Sequence, residues 1–299
     1  MGGGLRTLAR DRRTLRNGLL RVGLLRVLAG FGSEFVQDLV QSFCRIYFKN
    51  FAKEDFEPNA SFESRYKIYA QRNYKYITEN GKRYPIPQVK PEGSLKLTRK
   101  ADLIQSNSKN LSLSVEHIRE WAIWTESPKS SKQIINANIN YSNNDYGTVD
   151  SWNYHFKTNA LLPHRFYRFH SLPSVERKGR VKGKAITLTD LNDKVTVSYK
   201  TDYETTTLYT LIERIQSNRL TPSKSINLLD DLTMMRSRLS IIPLKKQILD
   251  TENGQFKLTG FALAGLSSLP LYFWKDASSR VIAILGHNVA YILQDIKNI

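Results

Sequence analysis

The chain has 299 residues and a mass of 34.4 kDa, and its 45 Lys and Arg against 27 Asp and Glu give a formal net charge of +18. With 40% hydrophobic and 11% aromatic residues, the composition is too apolar for a fully disordered chain. The single cysteine, Cys44, cannot form an internal disulfide, which excludes a disulfide framework and favours a reducing compartment.

Two short segments carry most of the positive charge. Residues 1–35 contain seven Arg and two acids, a net of +5, and residues 151–200 contain ten bases and three acids, a net of +7. A uniform basic bias would concern only solubility or compartment. Clusters of this kind instead indicate surfaces that meet anions.

Residues 1–35 form an Arg-rich leader whose composition differs from the rest of the chain. Leu5, Leu8, Leu15 and Leu19 fall on one face of a helical plot and most of the Arg on the other. This pattern resembles a mitochondrial presequence and predicts localisation in the matrix or on the matrix face of the inner membrane. The alternative is an artificial leader, because residues 32–35 (Gly-Ser-Glu-Phe) are what two adjacent cloning sites would encode.

Residues 36–125 are predicted to be mostly helical. Apolar residues recur at three- and four-residue spacings over 36–51, and residues 62–77 are dense in Tyr and bases. Pro85, Pro87 and Pro91 predict an extended linker over 84–92. Ser114 is expected to cap a short helix that reaches Trp124, before a polar loop at 126–132.

Residues 133–299 are predicted to form a domain with both strands and helices. The clearest element is a β-hairpin over 185–200, where apolar residues alternate with Thr and Ser around a turn at Asp190–Asp193. Helices are expected over 203–218, from Pro222 to Leu239, and over 281–296. The predicted fold class is therefore α+β: a helical N-terminal part followed by an antiparallel β-sheet flanked by helices.

The apolar run at 260–274 could be part of the core or inserted in a membrane. A membrane-spanning helix needs about 20 apolar residues, and this shorter run is interrupted by Pro270. A core helix or strand is the favoured interpretation.

Common enzyme signatures are missing. The glycines of residues 179–185 lack the spacing of a phosphate loop, and the segment leads into a hairpin rather than a helix. There is no G-x-S-x-G sequence and no His or Cys spacing typical of a metal site. We therefore predict no catalytic residue, no metal and no cofactor, and keep as an alternative an enzyme whose site is assembled from scattered residues such as His155, His164 or His170.

The predicted binding site lies in residues 151–184, where aromatic residues such as Trp152, Tyr154 and Phe156 alternate with bases. Aromatic rings can stack on unpaired bases while Arg and Lys neutralise phosphates. The nucleic-acid-binding residues predicted on this basis are Lys157, Arg165, Tyr167, Arg168, Arg177, Lys178, Arg180, Lys182 and Lys184. The competing interpretation is that the aromatic residues pack in the core behind an ordinary basic loop at 177–184.

Together these patterns predict a non-enzymatic mitochondrial protein that binds RNA or a ribonucleoprotein through this basic, aromatic surface. The alternative partner is an anionic membrane surface, for an inner-membrane-associated assembly factor that uses the same charge and the apolar C-terminal region. The sequence carries no signal for the oligomeric state.

Overall fold

The structure is a computed structural model that describes residues 56–70, 75–79, 82–86, 91–100, 110–123, 129–158, 174–221, 225–251, 254–265, 268–286 and 289–299. Nearly all of this part of the chain is β-strand, with one short helix. The strands in chain order are β1 (Phe62–Ala70), β2 (Lys75–Glu79), β3 (Lys82–Ile86), β4 (Gly93–Lys100), β5 (Asn110–Ile123), β6 (Lys129–Ser142), β7 (Val149–Thr158), β8 (Ser174–Lys182), β9 (Ala185–Asp190), β10 (Thr196–Lys200), β11 (Thr205–Thr207), β12 (Ser225–Asp230), β13 (Met234–Pro243), β14 (Gln247–Thr251), β15 (Gly254–Gly265), β16 (Ser268–Lys275), β17 (Val281–Leu285) and β18 (Val289–Asn298). The helix, α1, spans Leu208–Gln216.

Sixteen of the strands belong to one sheet. Its order is β10-β9-β8-β7-β6-β5-β4-β1-β18-β17-β16-β15-β13-β12-β11, with β14 paired to β15, while β2 and β3 form a separate hairpin. All pairs are antiparallel except β11 with β12. The first and last described strands in sequence, β1 and β18, are neighbours in the middle of the sheet.

The sheet curls round on itself, because its two terminal strands, β10 and β11, are consecutive in sequence and must lie near each other. β10 and β11 stand at opposite ends of the strand order, yet only residues 201–204 join them, a length that spans at most about 14 Å. β11 lies against β7, and Thr206 Oγ1 donates a hydrogen bond to the Tyr146 carbonyl at 2.7 Å. β8, β9 and β10 therefore continue past this meeting point, and we call these three strands the wing.

Helix α1 lies inside the curled sheet, and all nine of its residues are buried. Thr207 caps its N-terminus through a reciprocal pair of hydrogen bonds with Thr210. Tyr209 Oη shares a hydrogen bond with His117 Nδ1 of β5 at 2.9 Å, and Gln216 Nε2 donates one to Tyr66 Oη of β1 at 3.2 Å. The helix also contacts β12, β16 and β17, so strands from both halves of the sheet surround it.

Two adjacent charged residues of α1 are fully buried and paired with each other. Arg214 donates from Nε and Nη2 to the two carboxylate oxygens of Glu213, at 2.5 and 2.7 Å. Its Nη1 donates to Asn143 Oδ1 at 2.8 Å, and Arg99 Nε of β4 lies 3.4 Å from Glu213 Oε1. The interior thus holds two guanidinium groups around one carboxylate.

The prediction of an α+β fold with a helical N-terminal part is wrong, and the reason is visible in β1 and β5. In β1, Phe62, Tyr66 and Ile68 face the interior while Arg65 and Lys67 face solvent, so the Tyr and base pattern has the two-residue period of a strand. Ser114, expected to cap a helix, lies mid-strand in β5 and donates to Asn138 Oδ1 of β6 at 2.8 Å.

The prediction of helices in the C-terminal part is also wrong. Residues predicted helical from Pro222 to Leu239 lie largely in the hairpin of β12 and β13, whose turn contains Asp231 and Leu232 with positive φ. Residues 281–296 form β17 and β18. All five residues of β17 are buried, so its apolar residues are consecutive and their periodicity does not distinguish strand from helix.

The predicted hairpin and one predicted helix are present, the helix with other bounds. The helix expected over 203–218 is present as the shorter α1, preceded by β11, and the hairpin over 185–200 is present as β9 and β10. The apolar run at 260–274 forms parts of β15 and β16. The predicted leader at 1–35 and helix at 36–51 lie outside the described residues. Of the linker predicted over 84–92, residues 84–86 are extended in β3 and residues 91 and 92 precede β4, while 87–90 lie outside the described residues.

Candidate nucleic-acid interface

Three predicted bases project from one face of the wing. Along β8, exposed residues alternate with partly or fully buried ones, which places Lys178, Arg180 and Lys182 together on the outer face. We call these three residues the basic stripe. Alternate residues of a strand are about 6.7 Å apart, so the stripe is a row of evenly spaced cations. Residues 177–184, interpreted from the sequence as a basic loop, are therefore mostly a strand, with Gly183 and Lys184 in the turn to β9.

Small polar side chains flank the basic stripe on both sides. Lys178 pairs in register with Asn153 of β7 and Thr189 of β9, and Arg180 pairs with Ser151 and Thr187. Asn, Ser and Thr side chains, like Arg and Lys, commonly donate hydrogen bonds to phosphate and sugar oxygens. Within the described residues, no acidic side chain forms an ion pair with any member of the stripe.

Three bases around β1, by contrast, share one acidic partner. Glu63 of β1 accepts ion pairs from Arg65 at 2.7 Å, Lys96 at 3.0 Å and Lys297 at 3.9 Å. Hydrogen bonds and charge from Lys96 and Arg65 outweigh the effect of burial and lower the pKa of Glu63. This carboxylate reduces the local excess of positive charge around β1, whereas no described residue plays this part for the basic stripe.

Arg177, also predicted to bind nucleic acid, points toward the inner face of the wing. Its Nε donates to Asp190 Oδ2 and its Nη1 to Tyr154 Oη, both at 3.0 Å. The hydrogen bond from Arg177 is the main reason that the pKa of Asp190 is lowered. Arg177 therefore ties β8 to β7 and β9, and its charge is compensated.

The aromatic residues of β7 are inside the protein. Trp152 and Tyr154 are 2% and 4% exposed, and Phe156 packs partly buried against the core. A Cβ atom on Gly179 would lie 2.0 Å from Trp152 Cε2 and Cζ2, so this glycine makes room for the indole. The competing interpretation of the aromatic residues, as core residues behind a basic surface, holds for these three.

The other predicted residues are placed as follows. Lys157 is on the outer face of β7, half-buried, and Lys184 is exposed in the turn after β8. Arg165, Tyr167 and Arg168 lie outside the described residues, as do His164 and His170.

An open groove of about 540 Å³ adjoins the basic stripe on the outer face of β4 to β8. Two parallel rows of side chains line most of the groove, and each row contains one side chain from each of these five strands. The rows are Lys96, Glu116, Asn136, His155 and Glu176, and Thr98, Ser114, Asn138, Asn153 and Lys178. His155, a candidate for the enzyme alternative, thus lies between an amide and a carboxylate on a polar surface.

Sequence reasoning did not identify these polar rows. The signal was present, because Asn136, Asn138 and Asn140 occupy every second position of β6 and all three are exposed. Such alternation marks one face of a strand. What the alternation could not show is that Lys178, three strands away from Ser114, ends the same row.

Comparisons with known proteins add little. No family model matches the chain and no curated protein matches it significantly. One solved structure with a similar arrangement is the β-barrel-like protein of a domain of unknown function, DUF1849, from Brucella abortus. It is 8% identical, with 80% of this chain and 98% of that chain covered and a TM-score of 0.49. A similarity of this size supports no conclusion about function.

The described residues contain neither a membrane-spanning helix nor a cluster of metal ligands. In the part of the chain that the structure describes, no helix has the length and apolar character needed to cross a membrane. Among the same residues, no group of three or more His, Cys, Asp and Glu side chains is arranged to hold a metal ion.

Proposed function

We propose that the protein binds RNA through its sugar–phosphate backbone, using the basic stripe and the polar residues beside it. The observation that carries this proposal is the alignment of Lys178, Arg180 and Lys182 on one exposed strand face without acidic partners among the described residues. Evenly spaced cations on a rigid strand can follow a phosphodiester chain, and each phosphate they neutralise releases counterions.

The mode of binding differs from the one expected from the sequence. With Trp152 and Tyr154 buried, the described outer face offers no aromatic side chain from β7 for stacking. Affinity then comes from charge and from hydrogen bonds to phosphate and ribose. We therefore propose binding with little base specificity and a strong dependence on salt.

The test is the salt dependence of binding to a fluorescent single-stranded RNA, measured by anisotropy. In the variant Lys178→Gln, Arg180→Gln, Lys182→Gln, loss of three phosphate contacts should flatten the slope of log K against log salt by about 2. The matched control, Arg65→Gln, Lys67→Gln, Lys96→Gln, removes the same formal charge from β1 and β4. It should change the slope much less, because Arg65 and Lys96 already pair with Glu63.

Equal slopes for the parent and the stripe variant would overturn the proposal. An equal decrease of this slope in both variants would mean that net charge, and not the stripe, drives binding. Vesicles containing anionic lipid, assayed in parallel, report the alternative partner: binding to vesicles with no binding to RNA would favour a membrane surface.

We further propose that this binding takes place in mitochondria, on the basis of the Arg-rich amphipathic pattern in residues 1–35. The N-terminal sequence of the mature protein from its native source tests this proposal. A mature chain that begins near residues 30–40 and derives from a longer precursor is the expected result. A mature chain that retains residues 1–35, or a start downstream of Phe35 with no longer precursor, would contradict the proposal.

A further inference from the structure

The outermost strand of the wing exposes apolar side chains at the edge of the sheet. All five residues of β10 are exposed, and its inner-face residues Val197 and Tyr199 are 43% and 38% exposed. Val195 and Leu191, in the turn before it, are 55% and 38% exposed. Edge strands of monomeric proteins are commonly protected by charges or Pro, yet the inner face of β10 carries neither.

The backbone of β10 is also open on one side. The Val195 carbonyl accepts from the Asp190 N–H, and the Thr201 N–H donates to the Lys184 carbonyl, both at 2.8 Å. Because the groups of an antiparallel strand alternate in direction, odd-numbered residues between these two contacts face β9. The N–H and C=O groups of the even-numbered residues 196, 198 and 200 therefore point away from it. Among the described residues, β10 pairs only with β9.

We infer that this edge pairs with β10 of a second copy of the chain, in an antiparallel register centred on Ser198. Outward-facing residues can pair only with outward-facing residues, which leaves few registers. With Ser198 opposite the partner's Ser198, Thr196 lies opposite the partner's Lys200. Every outward N–H and C=O group of both strands then has a hydrogen-bonding partner.

The side chains are complementary in the same register. On the inner face, Val197 lies opposite the partner's Tyr199, and aromatic and β-branched residues form favourable cross-strand pairs. On the outer face, Lys200 lies opposite the partner's Thr196 and not opposite another base. Lys194 and Asp202, exposed at opposite ends of β10, are each brought toward the oppositely charged residue of the other copy. These features favour a second copy over a uniformly acidic or basic peptide.

Pairing of two wings would join their sheets into one and place both basic stripes on a continuous outer face. The association requires no RNA, so it can be tested independently of the proposed function. Because each strand has only five residues, the interface is small and the dimer is expected to be weak.

The register is tested by a disulfide across the twofold axis. In a Cys44→Ser background the variant Ser198→Cys has one thiol per chain. Hydrogen-bonded antiparallel pairs have Cα atoms about 5.5 Å apart, within the range that a disulfide bridges. Mild oxidation should therefore give a covalent dimer on a non-reducing gel. Thr189→Cys, on the same face but one strand inward, is the matched control and should give little.

The interface is tested by sedimentation equilibrium of Ser198→Pro and Ser198→Ala without RNA. Proline lacks an N–H, and at this position the lost N–H faces the open edge, where the monomer tolerates it. We expect Ser198→Pro to raise the dimer dissociation constant about a hundredfold or more and Ser198→Ala to leave it close to that of the parent. Val197→Asp, which replaces an exposed inner-face residue, gives a second disruption that leaves the backbone unchanged.

Two results would overturn the inference. One is a parent protein that is monomeric at every concentration reached. The other is crosslinking of Thr189→Cys as efficient as that of Ser198→Cys, which would mean random collision and not a defined register. Loss of dimer in all three interface variants, Ser198→Ala included, would also count against the register, because only the backbone N–H is essential to it.

Discussion

Two groups of charged side chains lie in opposite environments, one in the interior around α1 and one on the outer face of the wing. In the interior, Glu213 and Arg214 are fully buried and bonded to each other. On the wing, the basic stripe is exposed and has no acidic partner among the described residues. Buried charges must be paired because of the cost of removing them from water, whereas exposed charges can stay unpaired at little cost.

The difference indicates where stability and binding reside. The hydrogen bonds of the buried Glu213 and Arg214 are made within the protein, so this pair is not available to a ligand. Removal of one partner would leave the other charge buried and unpaired. An uncompensated exposed row contributes little to folding and remains available for phosphates. Variants in the two regions should therefore have opposite consequences, and the expected effects can be ranked.

The largest effect is expected from Glu213→Gln. The substitution keeps the shape of the side chain but removes the only carboxylate that the described structure places beside Arg214 and Arg99. Breaking a buried pair by removing one partner costs about 3–5 kcal/mol, a large part of the 5–15 kcal/mol typical of a domain. Urea unfolding followed by circular dichroism measures this loss.

Two controls accompany Glu213→Gln. Glu116→Gln removes a carboxylate from the exposed outer face, and the triple variant of the basic stripe removes three exposed bases. The free energy of unfolding of both variants should lie within about 0.5 kcal/mol of that of the parent. If Glu213→Gln were as stable as these controls, the buried network would not be holding α1 in place, and the contrast between the two regions would fail.

The contrast also explains which features the sequence could predict. The hairpin of β9 and β10 was predictable because Ile186 and Leu188 alternate with Thr, and alternation is sufficient when one face is exposed. The charge cluster at 177–184 was predictable, but not its conformation. Gly179 looked like a loop residue, whereas it lies mid-strand where Trp152 crosses the backbone.

The interior could not be predicted from the sequence. An amphipathic helix normally turns its charged residues to solvent, so adjacent Glu213 and Arg214 indicate an exposed face. Both are buried here because the sheet surrounds the helix, and that arrangement depends on β10 and β11 lying at opposite ends of the strand order. The approach of the two ends of a sheet leaves no local pattern in the sequence. β17 and β18 were interpreted as a helix for a different reason, because the buried apolar residues of β17 are consecutive.

A smaller effect in the interior should depend on pH and comes from His117. Its ring is buried against Tyr209 and Tyr291, and burial, followed by the charge of Arg119, lowers its pKa from 6.5 to about 3. Between these values the unfolded chain binds one more proton than the folded protein. Stability due to this group is therefore fully present above pH 6.5 and is lost on acidification, by about 1.4 kcal/mol per pH unit.

The measurement is the free energy of unfolding from pH 7 to 5, a window in which most carboxylates remain charged. His117→Phe keeps an aromatic ring but cannot be protonated. Its free energy of unfolding should be lower than that of the parent at pH 7 and should fall less steeply on acidification. The difference between the two proteins should therefore shrink by about 2 kcal/mol between pH 7 and pH 5. Tyr209→Phe removes the hydrogen bond and leaves the titrating ring, so its slope should follow the parent. Parallel curves for the parent and His117→Phe would mean that the ring is solvated in the folded protein. The interior would then be as open to water as the wing, and the separation between a dry, paired region and a wet, unpaired one would not hold.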